Sequence, residues 1–133
     1  MVESLERLIG LSKSQEFIPD ERMAWDEDEE MYHLHFVSTS GLIKEVNSVA
    51  GEFLASFLDE NSVSVVVRVE FRHLKPVIVG EPLIVGLRIV SVRENIVTFA
   101  AVIMKENERI AEGTIERAVI SRNYLRRKAF ERS

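Results

Sequence analysis

Residues 40–58, SGLIKEVNSVAGEFLASFL, constrain the fold more than any other stretch. Leu42, Ile43, Val46, Val49, Ala50, Phe53, Leu54 and Phe57 recur at spacings of three and four, which places them on one helical face. Ser40 is a plausible N-cap, and Asp59-Glu60-Asn61-Ser62 ends the pattern. A helix from Leu42 to Leu58 is roughly 25 Å long. Lys44, Ser48 and Glu52 occupy its opposite face. So long an apolar stripe needs an equally long apolar surface to lie on, and a sheet supplies one.

The period changes to two from Ser62 onward. Val63, Val65, Val67, Val69 and Phe71 predict a long strand with one apolar face, stopped at His73-Leu74-Lys75-Pro76. Gly80-Glu81-Pro82 is a turn signal, and Leu83, Val85, Leu87 and Ile89 restart the alternation. Arg93-Glu94-Asn95 reads as a tight hairpin, with Asn95 as the residue that tolerates a positive φ. Ile96–Met104 and Arg109–Ile120 are two more strands, joined at Glu106-Asn107-Glu108. Tight connections mean antiparallel pairing. The basic tail Ser121–Ser133 reads as a terminal helix capped by Ser121, with Tyr124, Leu125 and Phe130 on its apolar edge.

The N-terminal third is less regular. Residues 1–14 read as a short helix or a loosely packed terminus, with Leu5, Leu8 and Ile9 on one side. Arg22–Trp25 is the expected first strand. The acid run Asp26-Glu27-Asp28-Glu29-Glu30 reads as a solvated loop, since it lacks the spacing of a calcium-binding hand. The expected architecture is therefore α+β, a long helix wrapped by a curled antiparallel sheet. The chain of 133 residues makes a single domain, with its core at about residues 15–120 and a tail helix over 121–133.

Composition removes whole classes of function. The chain has no cysteine, which excludes a disulfide framework, a Cys-based zinc site and a cysteine nucleophile, and fits a reducing, cytoplasmic setting. Three histidines without ligand spacing make a metal centre unexpected, and no cofactor is expected. The net charge of −5 argues against a nucleic-acid partner. No apolar run approaches the roughly 20 residues of a membrane span, and the acidic N-terminus is unlike a signal peptide. Abundant Glu, Arg and Lys beside a single Gln suit a thermophile.

Three stretches carry a family likeness: SGLIKEVNSVAGEFL, VEFRHLKPVIVGEPL and GTIERAVIS. In that order they resemble the hotdog fold of acyl-CoA thioesterases, and the nearest likeness is to the fluoroacetyl-CoA thioesterase type. The last stretch is similar to a family strand that reads Gly-Thr-His-Glu-Arg, with Ile115 in the place of that His. The resemblance implies a homodimer or a dimer of dimers with sheets joined edge to edge. It also implies an acyl-CoA ligand at the protomer interface, beside the N-terminus of the central helix. Amides at a helix start can polarise a thioester carbonyl and hold an oxyanion.

Carried over residue by residue, the family's threonine at the helix start falls on Ser40 and its strand-end histidine on His73. The family's glutamate, eight residues along the helix, falls on Ser48, so the carboxylate is missing there. Glu45 and Glu52 lie about one turn to either side of Ser48 and could supply an acid from a shifted position. The expected catalytic set is thus Ser40, His73 and Glu45. Gly41, Leu42, Asn47 and Ser48 are the expected substrate contacts. Plainer roles stay open beside these: Ser40 as an N-cap, His73 as a strand-end cap, Asn47 as a surface amide and the tail cations as solvated charges that could also meet CoA phosphates. The function expected is hydrolysis of a small or medium acyl thioester. A non-catalytic acyl-CoA sensor or carrier is the alternative, and a dehydratase is a more distant one.

Overall fold

The computed structural model describes residues 5–132. The elements in chain order are a 3₁₀ turn Glu6–Leu8, strand β1 Ser12–Phe17 and a 3₁₀ turn Glu21–Met23. Then come a one-turn helix α1 Glu29–Tyr32, the long helix α2 Thr39–Ala55, and strand β2 Ser62–His73. Strands β3 Leu83–Arg93, β4 Ile96–Lys105 and β5 Glu108–Ser121 follow, and helix α3 Arg122–Glu131 closes the chain. All five strands form one antiparallel sheet in the order β1-β3-β4-β5-β2.

The expected α+β layering holds. Leu42, Val46, Val49, Ala50 and Leu54 of α2 are buried, and the inward residues Val85, Leu87, Ile89, Val97, Phe99, Ile103 and Ile115 of the sheet meet them. Each large side chain buried this way stabilises the fold by roughly 1.5–3 kcal/mol, so the stripe and the sheet hold each other in place. Phe53 and Phe57 extend the contact as an edge-to-face pair with centroids 5.5 Å apart. Leu5 and Leu8 close one end of the core; of the stretch 1–14, read as a short helix or a loosely packed terminus, the described part is a 3₁₀ turn leading into β1, and residues 1–4, like Ser133 of the tail, lie outside the described residues.

Four expectations are corrected. Helix α2 starts earlier than Leu42 and ends before Leu58. Its N-cap is Ser38, whose Oγ accepts the Gly41 N–H at 3.0 Å, while Ser40 lies within the first turn. The first strand is Ser12–Phe17 and not Arg22–Trp25; the latter segment holds a 3₁₀ turn capped by Asp20 and a single bridge from Ala24 to Val37. At the β3–β4 turn the positive φ belongs to Glu94, at 55°, while Asn95 donates from Nδ2 to the Val119 carbonyl.

The fourth correction concerns β2. Its register with β5 slips between Val66 and Arg68, leaving Val67 as a bulge. An extra residue reverses which side chains face inward. Before the bulge Ser64 and Val66 stand opposite Val119 and Arg117; after it Val69, Phe71 and His73 stand opposite Ile115, Gly113 and Ala111. The single apolar face expected from Val63 to Phe71 is therefore two half-faces. Ser64 joins the inward side at one end, and His73 joins it at the other.

Candidate active site

The end of β2 and the start of α2 are tied together by backbone bonds. Leu74 and Lys75 donate N–H bonds to the Ile110 carbonyl, Val37 to that of Val77, and Ser38 to that of Met23. Pro76, which has no N–H to donate, sits where the strand must stop. These anchors bring the last residue of the strand against the first residue of the helix. Thr39 Oγ1 and His73 Nδ1 lie 2.8 Å apart. Around them Trp25, Phe36, Val37, Ser38 and Pro76 complete a cavity of about 280 Å³.

His73 Nε2 is buried and has no hydrogen-bond partner among the described residues. If Nδ1 carries the ring proton and donates to Thr39 Oγ1, Nε2 presents its lone pair to the cavity, as a general base must. The amides of Thr39 and Ser40 belong to the first helical turn and have no acceptor within the helix. An unpartnered ring nitrogen, the first residue of a 17-residue helix at its positive end and an apolar wall therefore meet at this cavity.

The other expected site residues are dispersed. Ser40 is exposed, and its Oγ lies 3.3 Å from Ser38 Oγ. Leu42 is a fully buried core residue. At Gly41 an added Cβ would stand 3.0 Å from Met23 Cβ, so this glycine lets the 3₁₀ turn pack on the helix. Gly41, Glu45 and Ser48 line a second groove of about 320 Å³ with Asp20, Arg22 and Lys44, and it shares no lining residue with the His73 cavity. Burial, followed by the negative charges of Glu52 and Asp20, holds the Glu45 carboxyl above the usual glutamate range.

That shift predicts a pH effect. A carboxyl whose folded pKa is raised destabilises the fold where it is ionised, and the cost is relieved as pH falls through that folded pKa. Glu45→Gln is expected to raise the melting temperature at neutral pH. The gain should shrink as pH drops towards the ordinary glutamate value of 4.5, which paired thermal melts would show.

Asn47 sits elsewhere again. Its backbone carbonyl accepts from Arg117 Nη1 at 3.1 Å, and Arg117 also donates to Ser64 Oγ at 2.8 Å and the Ser64 carbonyl at 3.0 Å. Burial lowers the Arg117 pKa. Asn47 Oδ1 is the second buried side-chain atom without a partner among the described residues. His33 and His35 stand apart from both, His35 against Glu21 at 3.1 Å. Among the described residues no three His, Asp or Glu side chains converge on a point suited to a metal ion, and no helix is long and apolar enough to cross a membrane.

Thr39, Trp25, Phe36 and Arg117 were not picked out from the sequence as site residues. Thr39 lies in Ser38-Thr39-Ser40, where any of three hydroxyls can cap a helix, and only the helix's true start separates them.

The family model described as "Fluoroacetyl-CoA-specific thioesterase" matches residues 19–123. No curated protein matches the chain. Among solved structures, a hot-dog-like protein from Thermanaerovibrio acidaminovorans superposes with a TM-score of 0.85 at 24% identity, covering 93% of this chain and 91% of that one. The fluoroacetyl-CoA thioesterase FlK gives 0.81 at 17% identity, over 94% and 96% of the two chains. A thioesterase superfamily member from Thermus thermophilus gives 0.81 at 20% identity, over 93% of each. These likenesses establish the hotdog fold.

Proposed function

The chain belongs to the fluoroacetyl-CoA-specific thioesterase family, and from that premise we propose that it hydrolyses the thioester of a small or medium acyl-CoA. The observation that supports this most is the Thr39–His73 contact at the helix start, with Nε2 left free in an apolar cavity. In this reading the thioester carbonyl lies against the Thr39 and Ser40 amides, which stabilise the oxyanion. His73 Nε2 takes a proton from the attacking water, and the Thr39 hydroxyl fixes the ring. The hydroxyl assigned from the resemblance to Ser40 is then that of Thr39. Glu45, Gly41 and Ser48 line the other groove, and no step runs through them.

Counted from Thr39, the residue eight further along is Asn47, not Ser48. An amide stands there in place of an acid: it can donate and accept but cannot take the proton.

The site is completed by a second copy. Strand β2 is a sheet edge, and Val66, Val67 and Val69 on it are 37%, 53% and 37% exposed. A long apolar edge with unpaired backbone groups invites another strand. Antiparallel pairing of two β2 strands about a two-fold axis near Val67 lays the start of one beside the end of the other. His73 of one protomer then faces the Ser64, Arg117 and Asn47 of the partner subunit. Each buried, unpartnered polar atom costs about 1–3 kcal/mol. Bringing His73 Nε2 and Asn47 Oδ1 to one wet interface relieves both. A cytoplasmic setting is part of this reading, in line with a chain without cysteines.

The test is thiol release from acyl-CoAs of increasing chain length, with sedimentation of the same samples. Turnover that peaks on a short or medium chain in a dimer is the expected result. Saturable binding with no turnover on any chain would sink the hydrolase and leave a sensor or carrier.

A further inference from the structure

Two strongly charged segments form no ion pair with any other part of the chain among the described residues. The first is the loop between Trp25 and Phe36, which leaves and returns at the cavity and is closed at its base by the Trp25 N–H to Phe36 carbonyl bond of 2.7 Å. It carries Asp26, Glu27, Asp28, Glu29 and Glu30, all exposed, and none of them is in an ion pair among the described residues. Glu27 accepts from Trp25 Nε1 and Asp28 caps α1. The second segment is α3. Arg122, Arg126, Arg127 and Lys128 are exposed along it, and Arg132 follows. Its one ion pair among the described residues is internal, Lys128 with Glu131 at 3.3 Å. Arg122 donates to the Glu60 carbonyl, and Arg126 to Asn123 Oδ1.

Within one protomer these segments lie at opposite ends of β2. The loop's return leg bonds to the residues after His73, while α3 leaves β5 at Ser121, which pairs with Ser62 at the start of β2. The two-fold pairing of β2 strands, on which this inference rests, reverses that relation. The start of the partner's β2 lies beside His73, and the partner's α3 with it. We propose that the basic face of α3 in one protomer clamps the acidic loop of the other over the His73 cavity. The charges are complementary and nearly equal in number. The apolar residues agree as well: Tyr32 and Leu34 on the loop are 39% and 48% exposed, and Tyr124 and Leu125 on α3 are 45% and 38% exposed. Without the partner the loop carries five like charges between two feet, Trp25 and Phe36, that line the cavity; with it, the loop is neutralised and held shut.

Trp25 is the only tryptophan and a foot of this loop, so its fluorescence reports the clamp without any need for turnover. The proteins compared are wild type, Arg126→Glu with Arg127→Glu, Glu29→Arg with Glu30→Arg, and all four changes together. Each pair alone should red-shift Trp25 emission and raise its quenching by acrylamide about twofold, and the four together should restore wild-type values. The same release should occur in wild type at about 0.5 M salt, where the Debye length shrinks to a few ångströms. Sedimentation separates two ways of failing. A wild-type monomer would remove the two-fold reading and the clamp with it. A dimer whose Trp25 ignores the reversals, or is not rescued by the swap, would overturn the clamp alone. If the Arg126 and Arg127 reversals only abolish the preference for acetyl-CoA over its 3′-dephospho form, the cations serve the CoA phosphates and the clamp is wrong.

Discussion

His73→Ala is expected to lower kcat/KM on the best acyl-CoA by about 1,000-fold, within the range a positioned general base supplies. Its melting temperature should stay close to that of the wild type. Among the described residues Nδ1 makes the ring's one hydrogen bond, to Thr39 at the exposed helix start, and Nε2 makes none, so truncation removes little that stabilises the fold. Thr39→Ala should cost less, about 10-fold to 100-fold, since the ring loses its anchor but not its nitrogen, and Thr39→Ser should recover most of the loss. Ser40→Ala should be nearly silent, because its hydroxyl faces Ser38 and is exposed. Steady-state thiol release on these variants, beside thermal melts, checks the set. Turnover that survives His73→Ala would move the base elsewhere. A Ser40 effect larger than that of Thr39 would reverse the assignment of the hydroxyl.

Gly113→Ala should unfold the β2 edge. A Cβ at Gly113 would stand 2.0 Å from the Glu70 carbonyl oxygen and 2.8 Å from Phe71 Cα, both backbone atoms of the neighbouring strand. No rotamer relieves a clash with backbone, so β2 must move. Overpacking of this kind costs at least about 3 kcal/mol, or about 10 °C in melting temperature for a domain of this size. The strand that moves also ends in His73, so activity should fall with stability. Gly86→Ala is the control. Its Cβ would meet only a Val102 methyl at 3.1 Å, which can yield, and it should melt within a few degrees of wild type. Equal losses at the two glycines would mean that β2 does not approach β5 as closely as described.

What the amino-acid sequence determined by itself is the part that local periodicity encodes. The stripe from Leu42 to Leu54 repeats every three or four residues because one helical face meets the core. The inner faces of β3 and β4 alternate because every second side chain does. His73 before Pro76 marked a strand end, and Ser121 marked the start of the last helix, because proline and serine act on their own backbone neighbours.

Only the tertiary structure decided the rest, because those features depend on pairings between distant residues. β1 reads SKSQEF, a polar stretch with no period of its own, and it is a strand because β3 offers it backbone partners from Ser12 to Phe17. The bulge at Val67 exists only relative to β5, yet it turns Ser64 and His73 to the same side of the sheet. Arg117 looked like any strand cation until Ser64 and the Asn47 carbonyl were folded against it. Which hydroxyl meets His73 was decided the same way. Ser38, Thr39 and Ser40 are near-equivalent as caps, and only the packing of a strand end 34 residues away sets Thr39 against His73.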